Sequence, residues 1–386
     1  MYLQEKHTGR GTPPPPGSGS SFADGGDEPV SPLSNTTSTL RSDSSRGDQI
    51  YRWVLRGISW SIIALFVGLV FLLVKMSWEA WSQYGFGFVF LNQWNPPLEE
   101  FGAAPFLVGT LITSLLAVLL AAPIGIGTAL FLKEIAPTRI AAVLAFLVEL
   151  LAAIPSVVYG LWGIFVLAPL MREDVQPFLA NWFGPETLFA YGLGHLLTGF
   201  AYPIVLIGSQ FGWSEVSLSI LSENMQRFSH ALMDGPPMGL GLLTASLVLS
   251  IMIIPTITAL SREVLATVPD SIREAALGLG ATRWEMMKLA LLKTGRAGLV
   301  GAVLLGVGRA MGETMAVTMV IGNRNEIPTS FMNPAQTMAS VLANEYGEAS
   351  GLHLSSLAAV GLTLLMVSLI VNLLARGIIR YLEKQA

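Results

Sequence analysis

The feature that most limits the fold is a series of apolar stretches, each about as long as a bilayer is thick. The clearest are residues 57–76, 106–132, 140–170, 238–260, 298–321 and 355–379. A helix rises about 1.5 Å per residue, so about 20 residues cross the roughly 30 Å of hydrocarbon. In that solvent every backbone donor and acceptor must find a partner within the protein, which leaves helices or closed barrels. Barrel strands would be about 10 residues long with alternating polarity, and these stretches do not alternate. The predicted class is an all-α polytopic membrane protein with six transmembrane helices. Composition agrees: only 12% of residues are charged, against about 25% in soluble globular chains.

Absences narrow the chemistry. The chain has no cysteine, which excludes disulfides, thiolate nucleophiles and cysteine metal sites. Its four histidines do not cluster in sequence, and no metal or other cofactor is expected. There is no Gly-rich phosphate loop ending in Lys-Ser or Lys-Thr, so any ATP used must be bound by another chain. The predicted spans hold neither aspartate nor histidine, which argues against an intramembrane enzyme.

Residues 1–49 are rich in Pro, Gly, Ser and Thr. They bury too little apolar surface to offset ordering entropy and are predicted to form a disordered cytoplasmic tail. Nothing in them resembles a signal peptide, so the first span is expected to be an uncleaved anchor. Trp78, Trp81, Tyr84 and Trp94 follow it and suit an interfacial aromatic belt. The third span carries Glu149 and is interrupted by Ile154-Pro155-Ser156. Residues 171–237 are expected to be an extracytoplasmic insertion, with 187–211 re-entrant or interfacial. Basic residues decide that assignment. Arg52 and Arg56, Lys133 and Arg139, six residues within 262–296, and Arg376, Arg380 and Lys384 all fall on one side of a six-span topology. The positive-inside tendency then places both termini in the cytoplasm. A seventh span at 187–211 would move the basic residues of 262–296 outside. The permease domain is thus expected over 50–384, with a cytoplasmic loop at 261–296.

That loop is amphipathic. Pro269, Asp270 and Ser271 mark a helix start, with Glu274 placed to complete a capping box on Ser271. The helix over 272–277 should end or kink at Gly278 and Gly280. A second helix should run to Lys293 with Trp284, Met287 and Leu291 on one stripe. Such a pair either lies on the membrane surface or projects as a docking knob.

In the fifth span, Arg309 and Glu313 are spaced i to i+4, one turn apart on a continuous helix. The pair either fixes helix packing or passes an anion. Arginine suits an anion path because its planar guanidinium donates two parallel hydrogen bonds and keeps its charge. Thr314 and Thr318 extend that face with hydroxyls. Ser156, beside the break at Pro155, either packs or offers exposed backbone donors. Glu149 is expected to pair with a polar group in the bundle. Met311, Met315 and Met319 read as a packed stripe, and His195 and His353 as surface or packing residues.

Glu274-Ala275-Ala276, three residues and then Gly280 resemble the EAA loop of ABC importer permeases. The family continues after nine residues with Ile-x-Leu-Pro; here those positions are Ala290, Leu291, Leu292 and Lys293. Residues 149–163, residues 308–323 and Ala343-Asn344-Glu345 are similar to phosphate-uptake permeases of the PstC type. The resemblance implies a type I importer permease (MetI-like) fold that moves phosphate by alternating access across the bacterial cytoplasmic membrane. It implies a second, PstA-like permease, two PstB-like ATPase subunits that bind ATP and Mg, and an extracytoplasmic PstS-like phosphate-binding protein. No nucleic acid is involved. Glu274, Ala275, Ala276 and Gly280 would meet the ATPase; Arg309, Glu313, Thr314 and Ser156 would line the pathway. The alternatives are the same machine for sulfate, molybdate or phosphonate, or a membrane scaffold that transports nothing.

Overall fold

A computed structural model describes residues 46–183 and 234–384. The chain divides into two units, Met1–Trp60 and Ser61–Ala386. The described part of the first is the opening of helix α1 (Arg46–Tyr84). Residues 46–49 therefore belong to a helix rather than to the expected tail. The rest of that tail lies outside the described residues.

In the second unit α1 runs to Tyr84, and a two-stranded hairpin follows, β1 (Trp94–Asn95) and β2 (Glu100–Phe101), with Trp94 opposite Phe101. Next come α2 (Ala104–Ile135), α3 (Thr138–Ala153), α4 (Ser156–Phe183) and α5 (Leu242–Thr267). Two shorter helices, α6 (Asp270–Gly278) and α7 (Arg283–Thr294), lead to α8 (Arg296–Gly312) and α9 (Met315–Val320). α10 (Met338–Glu345) and α11 (Gly351–Glu383) complete the chain. Among the described residues five helices are long and apolar enough to cross a membrane. α7 and α8, bent by 73°, pass the same test only when taken together.

The residues explain the breaks. Pro137 and Pro155 are the N-caps of α3 and α4 with extended backbone, and each drives the residue before it, Ala136 and Ile154, out of the α region. Position 171, the expected start of the insertion, lies inside α4, which continues to Phe183 through two wide helical turns. The element expected at 187–211, with His195, lies outside the described residues.

α5 forms the centre: 67% of its apolar stretch is buried, against 33% for α2 and α4. Leu249, Met252, Ile253 and Ile257 pack against Ala117 and Ala121 of α2 and Ala316 and Val320 of α9. Small residues allow this approach, as in other membrane bundles. A Cβ on Gly125 would come within 2.8 Å of Ile257. α3 is the opposite case, with Ala145 its one buried residue.

Trp94 does not sit in an interfacial belt. It is buried, with Phe101 and Phe106 edge-on at 5.0 and 4.9 Å. The hairpin register and a 2.9 Å bond from its indole N–H to Glu345 turn it inward.

Candidate functional site

Two interrupted helices lie side by side. α3 gives way to α4 at Ile154–Pro155, and α8 gives way to α9 at Glu313–Thr314. α9 packs along α4, so closely that a Cβ on Gly160 would stand 3.2 Å from the Ala316 Cα. The Tyr159 hydroxyl donates back across the first break to the Leu151 carbonyl at 2.8 Å. Paired helix breaks within the membrane expose backbone groups, and transporters place substrate there.

The second break overturns one expectation. Arg309 and Glu313 do not share a continuous helix face. α8 ends at Gly312, and Glu313 is extended at φ −71°, ψ 123°. Gly308 and Gly312 weaken the helix end. The Glu313 carboxylate then accepts the Ala316 N–H at 3.3 Å, satisfying a donor at the start of α9. Among the described residues no ion pair joins Arg309 to Glu313. Arg309 instead donates from Nη1 to the Thr256 hydroxyl of α5 at 2.9 Å. Its guanidinium is exposed, held by a neutral partner. Thr314 donates to the Gly312 carbonyl and Thr318 to the Thr314 carbonyl, at 3.3 and 2.7 Å. Ser156 is half-buried at the first position of α4. The break also interrupts the expected methionine stripe: Met311 is buried and Met315 exposed. A cavity of about 460 Å³ opens at Gly312 and Thr314, beside Ala343 and Tyr346. A larger one, about 760 Å³, lies between α5, α8 and α11. It touches none of the expected pathway residues, and the smaller one touches Thr314 alone among them.

Glu149 finds its polar partner in Arg262 of α5, at 2.8 Å. That arginine belongs to a helix that continues to Thr267, past the expected start of the cytoplasmic loop at 261.

The loop itself is compact. α6 ends in a Schellman turn: Ala281 N–H donates to the Ala276 carbonyl at 3.1 Å and Gly280 N–H to Leu277 at 3.0 Å. Gly280 has φ +86°, a conformation glycine adopts without a Cβ penalty. The spacing from Glu274-Ala275-Ala276 to Gly280 is thus the spacing of a short helix and its left-handed cap. The expected capping box on Ser271 is absent. Pro269 occupies the N-cap of α6 without a side-chain bond, and the capping box forms at Thr282 and Glu285 instead. Its two hydrogen bonds from Thr282 hold the Glu285 carboxyl below its ordinary range.

Arg273 anchors the loop. It meets Glu134 at the end of α2 at 3.3 Å, the Leu265 carbonyl at 2.9 Å, and Asp270. Met286, Met287, Ala290 and Leu291 are buried against Leu265 and Leu299. Trp284 leaves the expected stripe and is 65% exposed. A wide turn over Met286–Leu291 rotates the buried face away from it. Leu279, 90% exposed, Leu277 and Glu274 complete an open face.

One hub escaped sequence reasoning. Glu345 accepts from Trp94 and His353 at 2.9 Å each and from Asn325 at 3.3 Å, and His353 stacks on Phe101. The only signal was the stretch Ala343-Asn344-Glu345, and nothing local named its partners.

The model of one family, "Binding-protein-dependent transport system inner membrane component", matches residues 121–385. The chain belongs to this family. The chain is 40% identical over 336 residues to the "Phosphate transport system permease protein PstC" of Pasteurella multocida, covering 87% of this chain and 92% of the relative. The protein so named from Mesorhizobium japonicum is 39% identical over 330 residues, covering 85% and 89%. The "PstC 1" of Mycobacterium tuberculosis is 32% identical over 314 residues, covering 80% and 81%. Membership makes the chain a multi-pass membrane permease subunit of an import system. It is not an enzyme.

Proposed function

We propose that this chain is the permease of a phosphate importer in a bacterial cytoplasmic membrane, with both termini in the cytoplasm. The substrate follows from the relatives, whose names specify phosphate. The observation that carries the site is Arg309, held by a neutral hydroxyl beside two adjacent helix breaks. Glu313 is occupied at Ala316, so an arriving anion has no ion pair to break. Two parallel bonds from the guanidinium match two oxygens of a tetrahedral oxyanion. Thr314 and the start of α4 at Ser156 stand at the two breaks and complete the lining.

The sequence holds no Gly-rich phosphate loop ending in Lys-Ser or Lys-Thr. ATP and Mg belong to two PstB-like ATPases, which act on the open face of α6 and α7. Glu274, Ala275 and Ala276 lie on α6, and Gly280 sets the bend. Arg273 transmits motion from that face to α2 and α5. A PstA-like permease completes the pathway, and a PstS-like binding protein delivers phosphate from outside. The bundle then opens alternately to each side.

Uptake in vesicles carrying the whole complex tests this, with wild type, Arg309→Gln and sulfate as competitor. ATP-dependent phosphate uptake should be lost in the variant while the complex still assembles. Uptake that survives the substitution removes Arg309 from the pathway, and uptake that sulfate blocks removes phosphate specificity.

A further inference from the structure

The larger cavity, about 760 Å³ between α5, α8 and α11, is lined by two opposite charges, Glu263 of α5 and Arg376 of α11. No other charged residue lines it. Both are exposed, and among the described residues neither side chain makes an ion pair or a hydrogen bond.

The cavity continues the Arg309 site toward the loop end of the bundle. Thr256 and Glu263 are seven residues apart on α5, hence about 20° apart around the helix. Leu260, between them in sequence, also lines the cavity. On α8 the cavity reaches Leu305, one turn short of Arg309. The bond from Arg309 to Thr256 thus stands at the head of the groove that the cavity occupies.

The walls are packed unequally. α5 and α8 are in close contact: a Cβ on Gly298 would stand 2.6 Å from Val264, and one on Gly306 3.0 Å from Ile257. α11 stands further off, and a Cβ on Gly301 would meet only Ile379, at 3.7 Å. The end of α11 is tied to the start of α8, where Arg296 donates to the Leu382 carbonyl at 3.1 Å. These contacts give one scale along the bundle. Glu263 lies next to Val264, near the level of Gly298. Arg376 lies one turn from Ile379 on the side away from the loop, near the level of Leu304. Along the bundle the two charges are roughly 8 Å apart, on different walls of one cavity.

An open chamber leaves both charges hydrated. Closing it takes both out of water, and a desolvated charge without a partner is costly at membrane depth. Within the cavity each has only the other as a partner. Closure and pairing are therefore coupled, and the small Gly301 leaves α11 room to approach.

We propose that this cavity is the loop-side chamber of the anion pathway and that Glu263 and Arg376 close it by pairing with each other. The proposal rests on the pathway reading of Arg309 and adds the residues that shut the route on the loop side of it.

The complete transporter in vesicles tests it. The chain has no cysteine, so Glu263→Cys with Arg376→Cys, in a complex whose partners are cysteine-free, can be linked by a short bifunctional methanethiosulfonate. Vanadate traps the ATPases closed on the loop end. Linking should be at least about fivefold faster in the complex trapped with ATP and vanadate than in the nucleotide-free one. Equal or slower linking in the trapped complex, or none in either, overturns the proposal. Charge exchange gives a second measurement. Glu263→Arg and Arg376→Glu each place like charges in the chamber and should lower ATP-dependent phosphate uptake about tenfold or more, while the double exchange should return to within about threefold of wild type. Wild-type uptake by either single variant, or a double exchange no better than both, overturns the proposal. Arg309→Gln, measured alongside, separates the two readings. Normal uptake in that variant removes the Arg309 station, whereas linking that ignores the nucleotide removes the closing pair.

Discussion

α5 and α3 are neighbours joined by one ion pair, yet they are built in opposite ways. α5 is largely buried and threads the core. α3 buries one alanine and leaves Val143, Phe146, Leu147 and Leu150 exposed. Both are apolar enough for a membrane, because lipid solvates an exposed leucine as well as a core does. What separates them is how much protein each one touches. α5 carries Thr256, which bonds Arg309, and Arg262, which bonds Glu149. α3 carries Glu149 on an arm with a proline break at its end. α5 is thus the platform of the bundle and α3 an arm on its surface.

The largest test of this contrast is Arg273→Gln, which unclamps α6 from the ends of α2 and α5. Leaving Glu134 unpaired in a nearly closed site should cost about 3–5 kcal/mol locally. Copurification of the ATPase should fall while the spans stay inserted. A transporter that keeps its ATPase would show that the clamp is dispensable. Ile257→Ala should lower the thermal stability of the detergent-solubilised complex by about 2–5 kcal/mol, since Ile257 is fully buried between α5, α2 and α8. The matching change in α3, Leu150→Ala, should cost within about 0.5 kcal/mol because the side chain is exposed. Equal losses at the two positions would erase the distinction between platform and arm.

Thr256→Val should have an intermediate effect. It removes a hydrogen bond to a charged group, typically about 1.5–3 kcal/mol, and should slow uptake without unfolding the complex. Thr256→Ser should restore it. Failure of serine to rescue would mean that the methyl group, and not the hydroxyl, matters there.

The smallest effect concerns the cap of α7. The Glu285 carboxyl lies below its ordinary value of 4.5 in the fold. The cap therefore stabilises fully above that value and loses its contribution as pH falls through the lower, folded one. Amide-exchange protection of the first turn of α7, corrected for intrinsic rates, should be flat between pH 7 and 5 and decline at more acid pH. Protection that changes near neutrality would assign the cap to another group.

Much of this was legible in the chain. The apolar runs named an all-helical membrane protein, because hydrocarbon permits few alternatives, but two of the expected spans, 140–170 and 298–321, are each broken into two helices. Pro155 announced the α3–α4 break, because its ring forbids the preceding residue a helical conformation. The interval from Glu274 to Gly280 announced a short helix and its cap. The break at Glu313–Thr314 was not legible, since glycines in membrane helices often accompany close packing without interruption. It turned an expected i to i+4 pair into two separate roles. Ser271 looked like a cap but lost to Pro269, and Trp284 left its stripe at a wide turn that no short-range pattern announces.

By itself the sequence determined what local backbone chemistry and solvent dictate: which segments are helical and apolar, where prolines end them, and where glycine turns the chain. Only the tertiary structure decided which charges meet. Arg309 chose Thr256, 53 residues away, over Glu313. Glu149 met Arg262 across 113 residues. Glu345 gathered Trp94, Asn325 and His353 from three segments. Periodicity governs neighbours along a helix. Pairing of charges across a bundle depends on how helices cross and how deep each residue sits, and packing of the whole chain sets both.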